Sequence, residues 1–304
     1  MRIPRLSSDL LRSGQERLLA VLTLEDVVPK VLTEEQIEFF NREGYLYPVN
    51  GISKERCDGL LDALDDFEAK QGVNAGVFKL KGHLCFPEAW DLVREPRILD
   101  AAEDLIGPNM LAFGSRFWVK PAGDGTFVSW HQDSAYFGCD PHEMVTCWLA
   151  LTPANKGNGC LRAMPRSHEI GHKHDESYEN APGLAPGEKK NMLGRGQNIP
   201  GLDESKAVHM ELEQGQFSIH KERTAHASYP NNSGKIRIGY SFFLIPPHVK
   251  SALERRSATL VRGVDEYGHW DTDPIPTKER LPELIKMMLV QNAQYTDPAF
   301  AQKA

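Results

Sequence analysis

The chain has 304 residues, of which 40% are hydrophobic and 25% charged, enough apolar material for one sizeable core with decorations. Its 42 acidic and 35 basic residues leave a formal charge of -7 with the signs interspersed, which speaks against nucleic acid or an anionic membrane as a partner. No apolar run reaches the roughly 18 residues of a membrane-spanning helix, and the 5 cysteines form no C-x-x-C pair and leave one over in any pairing, so a soluble, cytoplasmic protein with reduced thiols is expected.

Residues 1–32 read as an N-terminal arm. The stretch is Arg-rich in the manner of a transit peptide, but Asp9, Glu16, Glu25 and Asp26 argue against one. Thr33 then precedes E-E-Q-I-E-F-F-N-R-E-G, a capped helix start with Ile37 and Phe40 on one face and Gly44 as its stop. Ser53 opens a second helix, in which Leu60, Leu61, Leu64 and Phe67 recur at helical spacing. A third covers Ile98 to Leu105 and ends at Gly107-Pro108. The part 33–110 is therefore expected to be mainly helical.

From Leu111 onward the pattern becomes short runs of β-branched and aromatic residues closed by Gly, Pro, Asn or Asp, among them LAFGSRFWVKP, TFVSWHQD, MVTCWLALTP, QFSIH and KIRIGYSFFLIPP. About eight such segments without helices for crossovers indicate an antiparallel sandwich or barrel. The polar stretch 170–206 is too long for a structureless connection and reads as a lid-like loop. Near the end, LPELIKMMLVQNAQ predicts an amphipathic helix over 278–294 that packs outside the sheet, and 33–304 is taken as a single domain.

The strongest chemical signal is W-H-Q-D-S at 130–134. On a strand, residues i and i+2 share a face with Cα atoms about 7 Å apart, so His131 and Asp133 would converge on one metal. H-A-S-Y-P-N-N-S at 226–233 offers His226 as a third ligand. Two imidazoles and one carboxylate on one face of an octahedron leave positions open for oxygen chemistry at iron(II). Taken alone, H-x-D is more often a hydrogen-bonded pair in a sheet. Arg237 changes the balance: it begins the strand KIRIGYSFFL, where a buried guanidinium needs an anion. The distal carboxylate of a metal-bound oxo-diacid would suit a bidentate clamp there.

Other candidates read more plainly. His220 is an alternative ligand, but the spacing of Ser228, Asn231 and Arg237 behind His226 favours the latter. His172 and His174 read as a solvated pair and His168 as a turn residue. Arg162, Arg166 and Arg195 read as solvated arginines near the mouth of the site.

E-G-Y-L at 43–46, W-H-Q-D-S-A-Y-F at 130–137, C-W-L-A-L-T-P at 147–153, N-G-C-L-R-A-M-P-R-S-H at 158–168 and the H-A-S-x-P-N-x-S series leading to Arg237 together resemble the phytanoyl-CoA dioxygenase family of 2-oxoglutarate oxygenases. The resemblance runs from about Thr33 to Pro247. It implies a mainly β fold with flanking helices, a double-stranded β-helix or jelly roll of cupin type. It also implies that His131, Asp133 and His226 hold iron(II), that Arg237 binds the C5 carboxylate of 2-oxoglutarate with help from Ser228, and that Lys120, Gln132 and Trp148 line the co-substrate pocket.

The implied reaction consumes O2 and 2-oxoglutarate, releases succinate and CO2, and oxidises a C–H bond of a small molecule. Halogenating relatives replace the carboxylate ligand with a small residue, whereas this chain keeps Asp133, so hydroxylation is the expected outcome. The last residues are Q-K-A rather than S-K-L, which removes one support for a peroxisomal acyl role. Two other readings remain: a jelly-roll isomerase or hydrolase using zinc at the same ligands, and a non-catalytic binding relative.

Overall fold

The computed structural model describes residues 29–175, 190–193, 198–253 and 255–295. Helix α1 (Glu34–Glu43) starts where its capping residues dictate: Thr33 Oγ1 accepts from the Gln36 backbone N–H at 3.2 Å, and the Gln36 side chain accepts from the Thr33 N–H at 2.9 Å. It ends at Gly44, whose φ of 88° is left-handed and where an added Cβ would lie 2.4 Å from the His168 ring, so glycine is required on both counts. Helix α2 (Lys54–Gln71) follows the Ser53 cap and buries Cys57, Leu60, Leu64 and Phe67. Helices α3 (Pro87–Leu92) and α4 (Pro96–Ile106) each open on proline in the first turn, where its missing N–H costs nothing.

The expectation of a mainly helical part before residue 110 needs one correction. Tyr45–Asn50 forms strand β1, an edge of the largest sheet, paired antiparallel with β8 (Gln216–Lys221). Its Pro48 falls in the irregular stretch between Leu46 and Val49, where no ladder N–H is needed. Helix α3 was also not foreseen, its apolar residues being too few to show a period.

The strands expected after Leu111 form, with four short further ones among the described residues. Strands β2 (Met110–Lys120), β5 (Val145–Ala150), β10 (Arg237–Ile245), β12 (Ser257–Arg262) and β13 (Asp271–Thr272) complete the larger sheet, in the order β1-β8-β5-β10-β2-β12-β13. A second sheet holds β3 (Val128–His131), β9 (His226–Ser228), β6 (Leu161–Ala163) and β7 (Val208–Met210), in the order β3-β9-β6-β7. A short pair, β4 (Cys139–Asp140) with β11 (Lys250–Ser251), stands apart. The two sheets make the double-stranded β-helix, open rather than closed into a barrel.

Side-chain alternation divides the larger sheet between two tasks. Phe117 and Val119 of β2, Cys147 and Leu149 of β5, Phe217 and Ile219 of β8, and Tyr240 and Phe242 of β10 join the helices in one apolar core. The intervening residues Trp118, Trp148, Arg237 and His220 face the space between the sheets. Helix α6 (Leu281–Tyr295) buries Leu284 and Met288, the latter in the helix-side core, close to the expected place. The C-terminal strands are fastened by a buried ion pair, Lys81 Nζ to Asp273 at 2.8 Å. The N-terminal arm up to residue 28 and the middle of the lid-like loop (176–189 and 194–197) lie outside the described residues.

Candidate metal centre and co-substrate pocket

Strand register brings the two histidines together. His131 closes β3, His226 opens β9, and they are direct antiparallel partners with ring centroids 4.1 Å apart. Nδ1 of His131 bonds the Ser129 carbonyl at 2.9 Å, and Nδ1 of His226 bonds the Thr224 carbonyl at 2.9 Å. A carbonyl only accepts, so each Nδ1 carries the proton and each Nε2 offers a lone pair to the same point.

Asp133 arrives by a different route from the one its spacing suggested. Strand β3 ends at His131, and Asp133 has φ -59° and ψ -30° at the head of a short helix, α5 (Ser134–Phe137). A turn, not the period of a strand, aims its carboxylate back. Oδ1 then lies 3.6 Å from His131 Nε2 and 3.9 Å from His226 Nε2. Oδ2 accepts from Thr146 Oγ1 at 2.8 Å. All three residues are buried, with donor atoms within 4.8 Å of one another.

The protonation states suit a metal. Burial alone would raise the Asp133 carboxyl, but the rings of His226, His131 and His220 around it, which favour its anion when they are protonated, hold it well below the usual carboxylate range. Burial, reinforced by His131 and His220, keeps the His226 ring well below its ordinary value and so neutral. An anionic carboxylate and neutral imidazole are the ligand forms.

A cavity opens beside the triad, lined also by Trp118, Trp148, Ser228 and Arg237. Arg237 is 2% exposed. Its Nη2 donates to the Gly159 carbonyl at 2.7 Å, its guanidinium lies 5.3 Å from the Trp148 ring, and its Nε has no partner. Among the described residues no carboxylate pairs with it. Burial pulls its pKa down to about 10, which leaves it charged near neutrality. Lys120 is its register partner on β2 and donates to Ser228 Oγ at 2.6 Å and to the Tyr229 carbonyl at 2.5 Å. Burial first and Arg237 second hold the Lys120 amine well below its ordinary value.

Lys120, expected in the same pocket, is not among the lining residues, and neither is Gln132. Its Nε2 donates to the carbonyls of Ser167, Ile170 and Arg223, and its Oε1 accepts from the His172 N–H at 2.8 Å. Every polar position of that amide is committed to backbone. The His172/His174 pair is likewise structural: His174 Nε2 accepts from the Gln132 N–H at 3.0 Å. His168 bonds the Asn41 carbonyl at 3.2 Å in a short turn, the role expected of it. Arg162 is not a solvated arginine. It is 4% exposed, pairs with Glu204 at 2.9 Å and stacks on Tyr229 at 3.4 Å. Arg166 is exposed and pairs with Glu43 at 3.1 Å, and Arg195 lies outside the described residues.

Among the lining residues that escaped the sequence reading are Thr146 and Trp118. Thr146 carries no motif of its own, and its signal is only that it alternates with Trp148 on β5. Trp118 similarly alternates with Lys120 on β2, and its indole N–H donates to Ser241 Oγ at 2.8 Å.

The family model described as Phytanoyl-CoA dioxygenase (PhyH) matches residues 40–239, a span that takes in the triad and Arg237. The chain belongs to this family. Among curated relatives it is 28% identical over 169 residues to a probable alpha-ketoglutarate-dependent hypophosphite dioxygenase of Stutzerimonas stutzeri, covering 55% of this chain and 57% of that protein. It is 26% identical over 179 residues to an ectoine dioxygenase of Bordetella parapertussis, covering 51% and 58% respectively. The human peroxisomal phytanoyl-CoA dioxygenase is 31% identical over 147 residues, covering 47% and 41%. The matches thus span little more than half the length of these relatives at most. Among solved structures, the non-heme monooxygenase ThoJ superposes with a TM-score of 0.70 at 26% identity, over 86% of this chain and 99% of that one.

The residues present fit the family's iron(II) and 2-oxoglutarate. Two imidazoles and one carboxylate are the facial donor set of iron(II) oxygenases. The Nε of buried Arg237 has no partner among the described residues, which is compatible with a carboxylate ligand there.

Proposed function

We propose that the protein is an Fe(II)- and 2-oxoglutarate-dependent dioxygenase that hydroxylates an unactivated C–H bond of a small molecule, with release of succinate and CO2. One observation carries the reading: a single cavity has a three-residue ligand cluster at one place and a buried arginine without an anion at another. A short diacid with a keto-acid end satisfies both.

His131, Asp133 and His226 hold the metal, and iron(II) when bound supplies the activation of dioxygen. Arg237 clamps the C5 carboxylate of 2-oxoglutarate, and Ser228, oriented by Lys120, offers a further hydrogen bond. Trp148 forms a wall that holds the guanidinium in place, so that the keto-acid end of the co-substrate is presented to the triad. Val128, Leu161 and Phe243 line the cavity with apolar surface, which excludes water and strengthens the charged contacts. Because Asp133 keeps its carboxylate, the ligand position that halogenating relatives free for halide is filled here, which favours hydroxylation.

The relatives' printed names refer to hypophosphite, ectoine and phytanoyl-CoA. Their variety supports a small-molecule substrate for this chain. Anaerobic loading with iron(II) and 2-oxoglutarate, followed by admission of air, tests the class. Succinate is expected, and its formation should rise when a library of small metabolites includes the substrate. A zinc hydrolase or a non-catalytic relative forms none, and that result would end the proposal.

A further inference from the structure

His220 lies on β8 as the register partner of Thr146 on β5. It is 0% exposed, lines the same cavity as the triad, and neither ring nitrogen has a hydrogen-bond partner. An imidazole without hydrogen bonds is costly to bury. Its Nε2 is 3.7 Å from Asp133 Oδ2, and its ring centroid is 4.4 Å from that of His226. It nevertheless stands outside the group of mutually close donor atoms formed by His131, Asp133 and His226.

The two oxygens of Asp133 therefore have different neighbours. Oδ1 faces Nε2 of His131 at 3.6 Å and of His226 at 3.9 Å. Oδ2 accepts from Thr146 at 2.8 Å and faces His220. A carboxylate whose second oxygen is loosely held can swing to grip a metal through both atoms, and a metal with two histidines would then lose one of its three open positions.

We propose that His220 is a positioning residue for the metal's carboxylate ligand. Its Nε2–H joins the Thr146 hydroxyl on Oδ2 once a metal draws Oδ1, so that Asp133 binds through one oxygen only. The distance of 3.7 Å is just beyond hydrogen-bond reach and closes with a shift of about half an ångström. The inference rests on the metal site proposed above and concerns ligand geometry rather than reactivity.

Cobalt(II) binding to the full chain tests it without turnover. Partners that orient metal ligands typically contribute 10- to 100-fold in affinity, so His220→Leu is expected to weaken cobalt(II) by roughly that factor and to change its visible spectrum toward another coordination number. His220→Gln, which keeps a donor, should return most of the affinity and the wild-type spectrum. Thr146→Val should shift the spectrum in the same direction as His220→Leu. Equal affinity and spectrum in wild type and His220→Leu would overturn the proposal, as would equal losses in the Leu and Gln variants, which would make His220 a ligand. Should His220→Leu fail to fold, the contrast between His220→Gln and Thr146→Val decides, with wild-type behaviour in both overturning the proposal. A wild-type protein that binds cobalt(II) but no 2-oxoglutarate would defeat the proposed function and leave this inference to the metal data.

Discussion

Arg237, which lines the cavity, is the register partner of Lys120 on the adjacent strand, and among the described residues neither has a carboxylate bonded to it. The strands β2 and β10 thus deliver two basic side chains to one buried point. Removing one member of a buried, hydrogen-bonded charge pair costs about 3 to 5 kcal/mol. Arg237→Ala should therefore weaken 2-oxoglutarate by at least about 100-fold, read by anaerobic calorimetry on metal-loaded protein. Arg237→Lys should recover only part, because an ammonium lacks the planar fork. An unchanged affinity in the Ala variant would place the carboxylate elsewhere.

His131→Ala and Asp133→Ala should each abolish stoichiometric iron. The donor atoms meet within 4.8 Å, and loss of any one leaves only two. Elemental analysis after anaerobic loading is the measurement, and full occupancy in both variants would sink the triad.

Gly239 sits beneath the indole of Trp148, where an added Cβ would lie 1.9 Å from the ring. No rotamer of Trp148 near its present one tolerates that, and the ring is also the surface on which Arg237 rests. Gly239→Ala should cost about 1 to 3 kcal/mol of stability as overpacking does, with a loss of 2-oxoglutarate affinity. Urea unfolding and calorimetry check the two halves separately.

Glu222 provides a pH test. Burial, and then the Asp133 carboxylate nearby, push its carboxyl up to about 8, with His142 Nδ1 at 3.1 Å from Oε2. In the unfolded chain a glutamate titrates near ~4.3, so the folded state holds an extra proton between these values. Stability from this group is full below the unfolded value and is lost as pH rises toward 8. Each unit of separation is worth roughly 1.4 kcal/mol. Metal-free Glu222→Gln should match wild type near pH ~5 and exceed it near pH ~8 in urea midpoint. Parallel pH profiles for the two proteins would refute the assignment.

The features readable from sequence were those whose causes are local. The capping box of Thr33 and Gln36 closes within one helical turn, and Gly44 supplies a conformation that other residues resist. Strands β2, β5 and β10 declared themselves as short runs rich in β-branched and aromatic residues closed by turn residues. The motifs around His131, Asp133, His226 and Arg237 were sufficient to name the family and the candidate ligands.

Edge strand β1 was missed because Y-L-Y-P-V-N has no strong pattern, and its strand state depends on β8 far along the chain. The resemblance implied that Gln132 lines the pocket, yet the turn at Asp133 directs it into the backbone of 167–172 and 223.

By itself the sequence determined the periodicities, the caps and the identity of the donor groups, since these depend on neighbours a few bonds away. Only the tertiary structure decided that Lys120 is paired with Arg237, that His131 meets His226, and that Thr146 bonds one oxygen of Asp133 while His220 stands 3.7 Å from it. Those meetings depend on which strand lies beside which and in what register, and register is set by the burial of whole sheet faces, a sum over many residues that no single segment contains.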